Sequence, residues 1–270
     1  MSLKDYQLLA LDLDDTLLNK KNKLSKKTVE VIEKIKDKGV TVTIATGRML
    51  TSSLPYIKKL NIQVPVITYN GAYVRDIQKQ KTIYHQPLSQ QTAEGLIRDA
   101  QKENLHVNYY HEDKLYVTER NRLSALYEDI AGVQAKEVKS FAEFKGKQPT
   151  KILIIEDDQE KKERFFNYCK EKYKGKAEIK KSKEYFIEFT DNGVSKGRSL
   201  AELADDYLIP QEKVVAIGDG WNDADMIEWA GLGIAMGNAS PGVQEKADLI
   251  APDHDNEGVA EILAEVFKLD

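Results

Sequence analysis

The sequence of 270 residues contains one cysteine, Cys169, and no long hydrophobic run. A single cysteine excludes an internal disulfide and favours a reducing compartment. Apolar runs such as Ile152–Ile155 and Val214–Ile217 are too short to span a bilayer. The first residues, Met1–Tyr6, carry charge early and lack the apolar segment of a signal peptide. We therefore expect a cytoplasmic protein.

The chain also lacks an excess of charge of one sign. Its 40 Lys and Arg residues against 44 Asp and Glu residues give a formal net charge of −4. This balance gives no indication of a nucleic-acid or membrane partner. Hydrophobic residues make up 41% of the sequence, which suits a globular protein with a sizeable core and one or two domains. The sequence leaves the oligomeric state open.

Strand-like and helix-like patterns alternate at both ends of the chain. Leu8–Leu11, Val40–Ala45 and Pro65–Thr68 have the apolar character of buried strands, and amphipathic helical patterns separate them. Towards the C-terminus, Lys213–Ile217 predicts another buried strand between helical segments. This alternation is typical of an α/β fold, here a doubly wound, mainly parallel, Rossmann-like core.

The middle of the chain has a different pattern. His106–Tyr110 and Lys114–Thr118 are strand-like and are separated by a three-residue turn, which predicts an antiparallel hairpin. We predict an inserted α+β domain over residues 84–189, with residues 1–83 and 190–270 forming the core domain.

The chemically informative residues lie where predicted strands end, the edge at which open α/β sheets bind ligands. Asp12 and Asp14 follow the first strand and point to one side of an extended chain. Two close carboxylates repel each other unless they share a cation or a proton. Oxygen ligands with incomplete protein coordination favour Mg²⁺. Taken alone, the pair is explained equally well as an ordinary acidic turn.

Three further segments strengthen this interpretation. Thr46 and Gly47 follow the second strand and offer a hydroxyl and main-chain amides to an anion. Lys196 begins a predicted helix, where its charge opposes the helix dipole unless an anion or carboxylates lie nearby. The glycine-rich turn after Ile217 adds the carboxylates Asp219 and Asp223. Each segment alone has a plain structural explanation, but together they predict one site.

The order of these motifs resembles the haloacid dehalogenase (HAD) superfamily over essentially the whole chain. The corresponding residues are Asp12-x-Asp14-x-Thr16, Thr46, Lys196 and Gly218-Asp219-x-x-Asn222-Asp223. The segments Ala45-Thr46-Gly47-Arg48, Asn70-Gly71-Ala72, Ser195-Lys196-Gly197 and Ala235–Ala239 resemble the Cof-type subfamily, which carries a type IIB α+β cap. The resemblance implies a Mg²⁺-dependent phosphatase that hydrolyses small phosphate monoesters, such as sugar phosphates or phosphorylated cofactors, through an aspartyl-phosphate.

The resemblance also implies a role for each matching residue. Asp12 is the nucleophile, and Asp14 protonates the leaving oxygen and later activates water. Thr46 and Lys196 stabilise the transferring phosphoryl group. The implied metal ligands are Asp12, Asp14 through its carbonyl, Asp219 and Asp223, the last of which alternatively supports Lys196. The implied phosphate-binding residues are Leu13, Thr46, Gly47, Asn70, Lys196 and Asn222.

Some features depart from the family or leave alternatives open. Asp15 stands where the family usually has glycine. His85, His106, His111 and His254 show no ligand spacing, so we interpret them as surface or packing residues. Trp221 lies inside the fourth motif, where it packs under the loop or borders the site, and we favour packing. A phosphotransferase or mutase on the same fold is the main alternative. A receiver-like phospho-accepting domain and a catalytically silent binding protein are less well supported by the motifs.

Overall fold

The computed structural model describes residues 5–182 and 184–269. In the N-terminal part the elements are β1 (Leu8–Leu11), α1 (Lys26–Asp37), β2 (Thr41–Ile44), α2 (Leu50–Lys59), β3 (Val66–Thr68), β4 (Tyr73–Asp76) and β5 (Lys81–His85). The middle contains α3 (Gln90–Lys102), β6 (His106–His111), β7 (Lys114–Val117), α4 (Arg122–Ala131), β8 (Lys136–Glu137), β9 (Lys151–Ile155), α5 (Gln159–Lys172), β10 (Ala177–Lys181) and β11 (Phe186–Asp191). The C-terminal part contains α6 (Lys196–Asp206), β12 (Val214–Gly218), α7 (Ala224–Trp229), β13 (Leu232–Ala235), α8 (Pro241–Gln244), β14 (Leu249–Ile250) and α9 (Gly258–Val266).

These elements form two compact units. The first consists of the chain up to Gly47, Leu54–Ile83 and the chain from Ser195 onward. The second consists of Arg48–Ser53 and Tyr84–Val194. Among the described residues, none of the helices is both long and apolar enough to cross a membrane.

The first unit is built on a five-stranded parallel sheet of order β14-β13-β12-β1-β2. The central strand β1 is completely buried, and its Leu8 is in register with Val214 of β12 and Thr41 of β2. Because the three strands run in the same direction, their carboxyl ends meet at one edge of the sheet. The loops that follow them are therefore neighbours.

The first helix shows how the sequence pattern becomes packing. Thr28, Val31, Ile32 and Ile35, spaced at 0, 3, 4 and 7, are the buried residues of α1. The Ser25 side chain caps the helix by accepting a hydrogen bond from the Thr28 amide. This helix confirms the amphipathic pattern predicted between the first two strands.

A small three-stranded sheet has the order β3-β4-β5, and its strands β3 and β4 are antiparallel. A parallel bridge between Ala45 and Ile67 joins β3 to the end of β2. The sequence analysis identified β3 but missed β4 and β5. Most of β5 is exposed, so it lacks the alternation of apolar and polar residues by which half-buried strands are recognised.

The second unit is an α+β structure with a six-stranded sheet of order β10-β11-β9-β6-β7-β8. The predicted hairpin is present, with His111 of β6 opposite Lys114 of β7 in an antiparallel pair. Residues from α3 and α5, including Leu96 and Phe165, share one hydrophobic core with Ile152 and Phe189 of the sheet. A parallel α/β core accompanied by an α+β unit confirms the predicted fold class.

Candidate active site

Three strands deliver the candidate residues to one edge of the parallel sheet. Asp12 follows β1, Thr46 lies two residues after β2, and Asp219 follows β12. The Asp12 amide donates to the Ile217 carbonyl over 3.0 Å, which extends the ladder between β1 and β12 by one residue. Asp12 is thereby fixed beside the start of the Asp219 loop.

Lys196, the first residue of α6, brings its side chain into this group. Its Nζ lies 2.6 Å from Asp12 Oδ1 and 2.5 Å from Asp223 Oδ1. The side chains of Lys196, Asp12 and Asp223 are 0%, 5% and 1% exposed. A cation at a helix N-terminus is unfavourable by itself, and two buried carboxylates provide the compensation.

Asp223 also shapes the loop after β12. Its Oδ2 accepts hydrogen bonds from the amides of Asp219 at 3.1 Å and Gly220 at 2.9 Å. A Cβ at Gly218 would lie 2.4 Å from the Asp223 Cβ, so only glycine allows this approach. One buried carboxylate therefore orders the loop and holds Lys196.

The carboxylates form a group that can hold a cation. Asp12, Asp219 and Asp223 each offer one oxygen, and these three atoms lie within 4.8 Å of one another. Thr16 donates to Asp219 Oδ1 over 2.8 Å, which orients that carboxylate. A donor set made only of oxygen suits a hard dication such as Mg²⁺.

The pKa values of the site reflect burial and the mutual repulsion of its carboxylates. Burial, followed by the charge of Asp223, raises the pKa of Asp12 well above its usual range, while Lys196 opposes this. Burial and the Asp223 charge raise the pKa of Asp219 to about 7. Burial alone would lower the pKa of Lys196, but Asp12 and Asp223 raise it above its ordinary value. A bound dication would favour ionisation of both Asp12 and Asp219.

A second group of residues adjoins the carboxylates. The main-chain amide of Asn70 donates to the Thr46 carbonyl over 3.0 Å. The side chain of Asn222 donates to the side-chain oxygen Oδ1 of Asn70 over 3.1 Å. A Cβ at Gly47 would lie 2.7 Å from Asn70 Oδ1, so a larger residue does not fit there. Contacts thus link Thr46, Gly47 and Asn70 to the loop that carries Asp219.

Two candidates contribute in a less direct way. Asp14 is half-buried, and its carboxylate belongs to no three-acid group in the described ranges 5–182 and 184–269. Its charge nevertheless helps to raise the pKa of Asp12. The Leu13 side chain is completely buried, so its main chain is the part that can face a ligand. The metal-binding and phosphate-binding roles of these residues stay predictions.

The structure also shows contacts that the sequence analysis missed. Asp225 Oδ2 accepts from the Gly197 amide over 3.1 Å and so ties α7 to the first turn of α6. Thr16 was quoted within a motif, but its bond to Asp219 was not foreseen. The expectation that Trp221 packs under its loop was wrong, because 59% of the residue is exposed.

The buried group makes a prediction about stability. Lys196→Met leaves Asp12 and Asp223 without their cation, so we expect a loss of about 3–5 kcal/mol in the free energy of unfolding at pH 8 without divalent ions. Arg198→Met is the matched control, since Arg198 forms an exposed pair with Glu202 that contributes at most about 1 kcal/mol. Chemical denaturation measures both. Equal losses in the two variants would contradict the account.

Comparisons with known proteins agree with this geometry. A model of the haloacid dehalogenase-like hydrolase family matches residues 9–263. The 5-amino-6-(5-phospho-D-ribitylamino)uracil phosphatase YitU of Bacillus subtilis (strain 168) is 29% identical over 100% of both chains. The pyridoxal phosphate phosphatase YbhA of Escherichia coli (strain K12) is 27% identical over 95% of this chain and 97% of its own.

Solved structures give the same result. A haloacid dehalogenase-like hydrolase from Bacteroides thetaiotaomicron superimposes with a TM-score of 0.89 and 28% identity, covering 97% of this chain and 100% of that one. The match extends through both compact units. The chain therefore belongs to the haloacid dehalogenase-like hydrolases, and within that family it is a phosphatase.

Proposed function

We propose that this phosphatase hydrolyses small phosphate monoesters with Mg²⁺, through a phosphorylated Asp12. One observation carries the proposal. The buried Asp12 carboxylate contacts Lys196, and it offers an oxygen within 4.8 Å of oxygens of Asp219 and Asp223. A nucleophilic carboxylate needs this combination of negative charge and nearby cations, because phosphoryl transfer is catalysed mainly by positioning and electrostatics.

The oxygen donors of the site fit a magnesium ion. Asp12, Asp219 and the Asp14 carbonyl would hold it, and Asp223 lies close enough to assist. When bound, Mg²⁺ attracts the phosphate and stabilises charge on the phosphoryl oxygens. Both oxygens of Asp223 already serve Lys196 and two loop amides. We therefore assign Asp223 mainly to positioning.

The chain's own residues would divide the first step between them. An Asp12 oxygen forms a bond to phosphorus while the bond to the leaving oxygen breaks. Asp14 donates its proton to that leaving oxygen. Lys196, Thr46 and the amides near Gly47 hold the phosphoryl oxygens as the transition state forms.

The second step would release phosphate. Asp14, now ionised, accepts a proton from water, and the water oxygen attacks phosphorus and breaks its bond to Asp12. The products are inorganic phosphate and a regenerated Asp12. A phosphotransferase or mutase would pass the phosphoryl group to an organic hydroxyl at this point, so analysis of the products distinguishes the two functions.

The relatives support a substrate of small size. YitU and YbhA are named for a phosphorylated ribitylaminouracil and for pyridoxal phosphate, both phosphate esters of a small metabolite. We propose a substrate of the same class here, and we propose that the second unit is the inserted cap that selects the leaving group.

Two substitutions test the assigned roles. Asp12→Asn removes the nucleophile, so phosphate release from p-nitrophenyl phosphate and from phosphorylated metabolites should fall by about 10³-fold or more. Asp14→Asn should slow turnover by about 10²–10⁴-fold. p-Nitrophenolate leaves without a proton, so this variant should still show a burst of one p-nitrophenolate per chain. Turnover that survives in Asp12→Asn would contradict the mechanism.

The raised pKa of Asp219 predicts how metal binding depends on pH. Below about pH 7 the carboxyl is protonated, and a protonated carboxyl binds Mg²⁺ poorly. Mg²⁺ affinity should therefore rise by up to about tenfold per pH unit below this value and level off above it. Thermal shift titrations between pH 6 and pH 8 measure the effect. Asp219→Asn should weaken binding and reduce the pH dependence near pH 7, and the exposed-site control Asp205→Asn should preserve it.

A further inference from the structure

A second cluster of potential ligands lies outside the residues assigned to catalysis. His254 occupies the turn between β14 and α9, and its side chain is only 4% exposed. Asp253, His254 and Asp255 each offer one ligand atom, and these atoms lie within 4.8 Å of one another. The carboxylate of Asp15 approaches the same imidazole.

The two ring nitrogens of His254 face different carboxylates. Nδ1 lies 3.4 Å from Asp253 Oδ1, whereas Nε2 lies 3.8 Å from Asp15 Oδ1 and 3.8 Å from Asp255 Oδ1. Among the described residues, neither nitrogen has a hydrogen-bond partner. A separation of 3.8 Å exceeds a hydrogen bond but suits two ligands that each lie about 2.0–2.2 Å from one ion.

The surrounding contacts hold the cluster together. Asn238 donates to the Asp15 carbonyl over 2.8 Å, and its side-chain oxygen accepts from the His254 amide over 3.2 Å. One asparagine therefore fixes the Asp15 loop against the His254 turn.

The backbone conformation of Asp15 and the charges around His254 both favour a bound cation. Asp15 has a φ of +55°, in the left-handed region that favours glycine, and yet its carboxylate faces the imidazole. Asp15, Asp253 and Asp255 place three carboxylates around one imidazole, and Lys20 Nζ contacts Asp255 at 2.9 Å. The arrangement favours a cation.

We propose that His254 Nε2, Asp15 and Asp255 bind a divalent transition-metal ion of the Zn²⁺ type. An imidazole ligand favours such an ion over Mg²⁺, which prefers oxygen alone. Asp253 beside Nδ1 is the orienting partner that metal-bound histidines commonly have. The site is distinct from the group of Asp12, Asp219 and Asp223. Since Asp15 follows Asp14 directly, an ion there would restrain the loop that carries both proposed catalytic aspartates.

Zinc binding by the full chain tests the proposal. Zn²⁺ is titrated into the protein in competition with a chromophoric chelator. Excess Mg²⁺ is present to occupy the group of Asp12, Asp219 and Asp223. We expect one Zn²⁺ per chain and a ¹⁵N shift at Nε2 of His254. His254→Asn and Asp255→Asn should each weaken Zn²⁺ binding by at least about 10-fold. His111→Asn, the same substitution at a histidine of the second unit, should leave binding unchanged.

The remaining outcomes overturn the proposal. If wild type and both variants bind Zn²⁺ equally, the ion binds elsewhere, for instance at the Asp12 group. If the wild type binds no Zn²⁺, the proposal is wrong and His254 has a structural role only. Asp255 is exposed, so Asp255→Asn keeps the test interpretable if His254→Asn fails to fold. Circular dichroism and thermal unfolding check the fold of each variant.

Discussion

The contact of the buried Lys196 ammonium with Asp12 and Asp223 is the constraint on which the site depends. A lysine buried without carboxylates, or two carboxylates buried without a cation, would be strongly destabilising. The three side chains come from the end of β1, the start of α6 and the loop after β12. Satisfying this one charge group therefore fixes three distant segments in a single arrangement, and the glycine at 218 is needed because Asp223 packs so closely against it.

The same group connects the proposed metal to the proposed nucleophile Asp12. Lys196 supplies one positive charge, whereas Asp12, Asp219 and Asp223 place three carboxylate oxygens within 4.8 Å of one another. Burial, together with this excess of negative charge, raises the pKa values of Asp12 and Asp219, which disfavours the ionised form that a nucleophile requires. A dication at this position would reverse the effect. Metal binding would therefore also activate Asp12, because the charge of the ion favours the ionised carboxylate.

Much of this arrangement could be predicted from the sequence, because strand ends of a parallel sheet meet at one edge. Asp12, Thr46 and Asp219 were recognised in this way, and the hairpin β6–β7 and helix α1 followed from their periodicity. Other features depend on contacts between residues far apart in the chain, and no local pattern encodes them. The bond from Gly197 to Asp225, the exposure of Trp221 and the approach of Asp15 to His254 are of this kind. The strand β5 was missed because most of it is exposed, so its sequence lacks the apolar pattern of a buried strand.

Trapping the covalent intermediate tests the central claim most directly. The protein is mixed with substrate and Mg²⁺, quenched in acid within one turnover and reduced with borohydride, which converts an aspartyl-phosphate to homoserine. Peptide mass spectrometry then locates the change. The account predicts homoserine at position 12 in the wild type, more of it in Asp14→Asn, and none without substrate. Rapid turnover with Asp12 unmodified, or with the modification on another residue, would contradict the claim that Asp12 is the nucleophile.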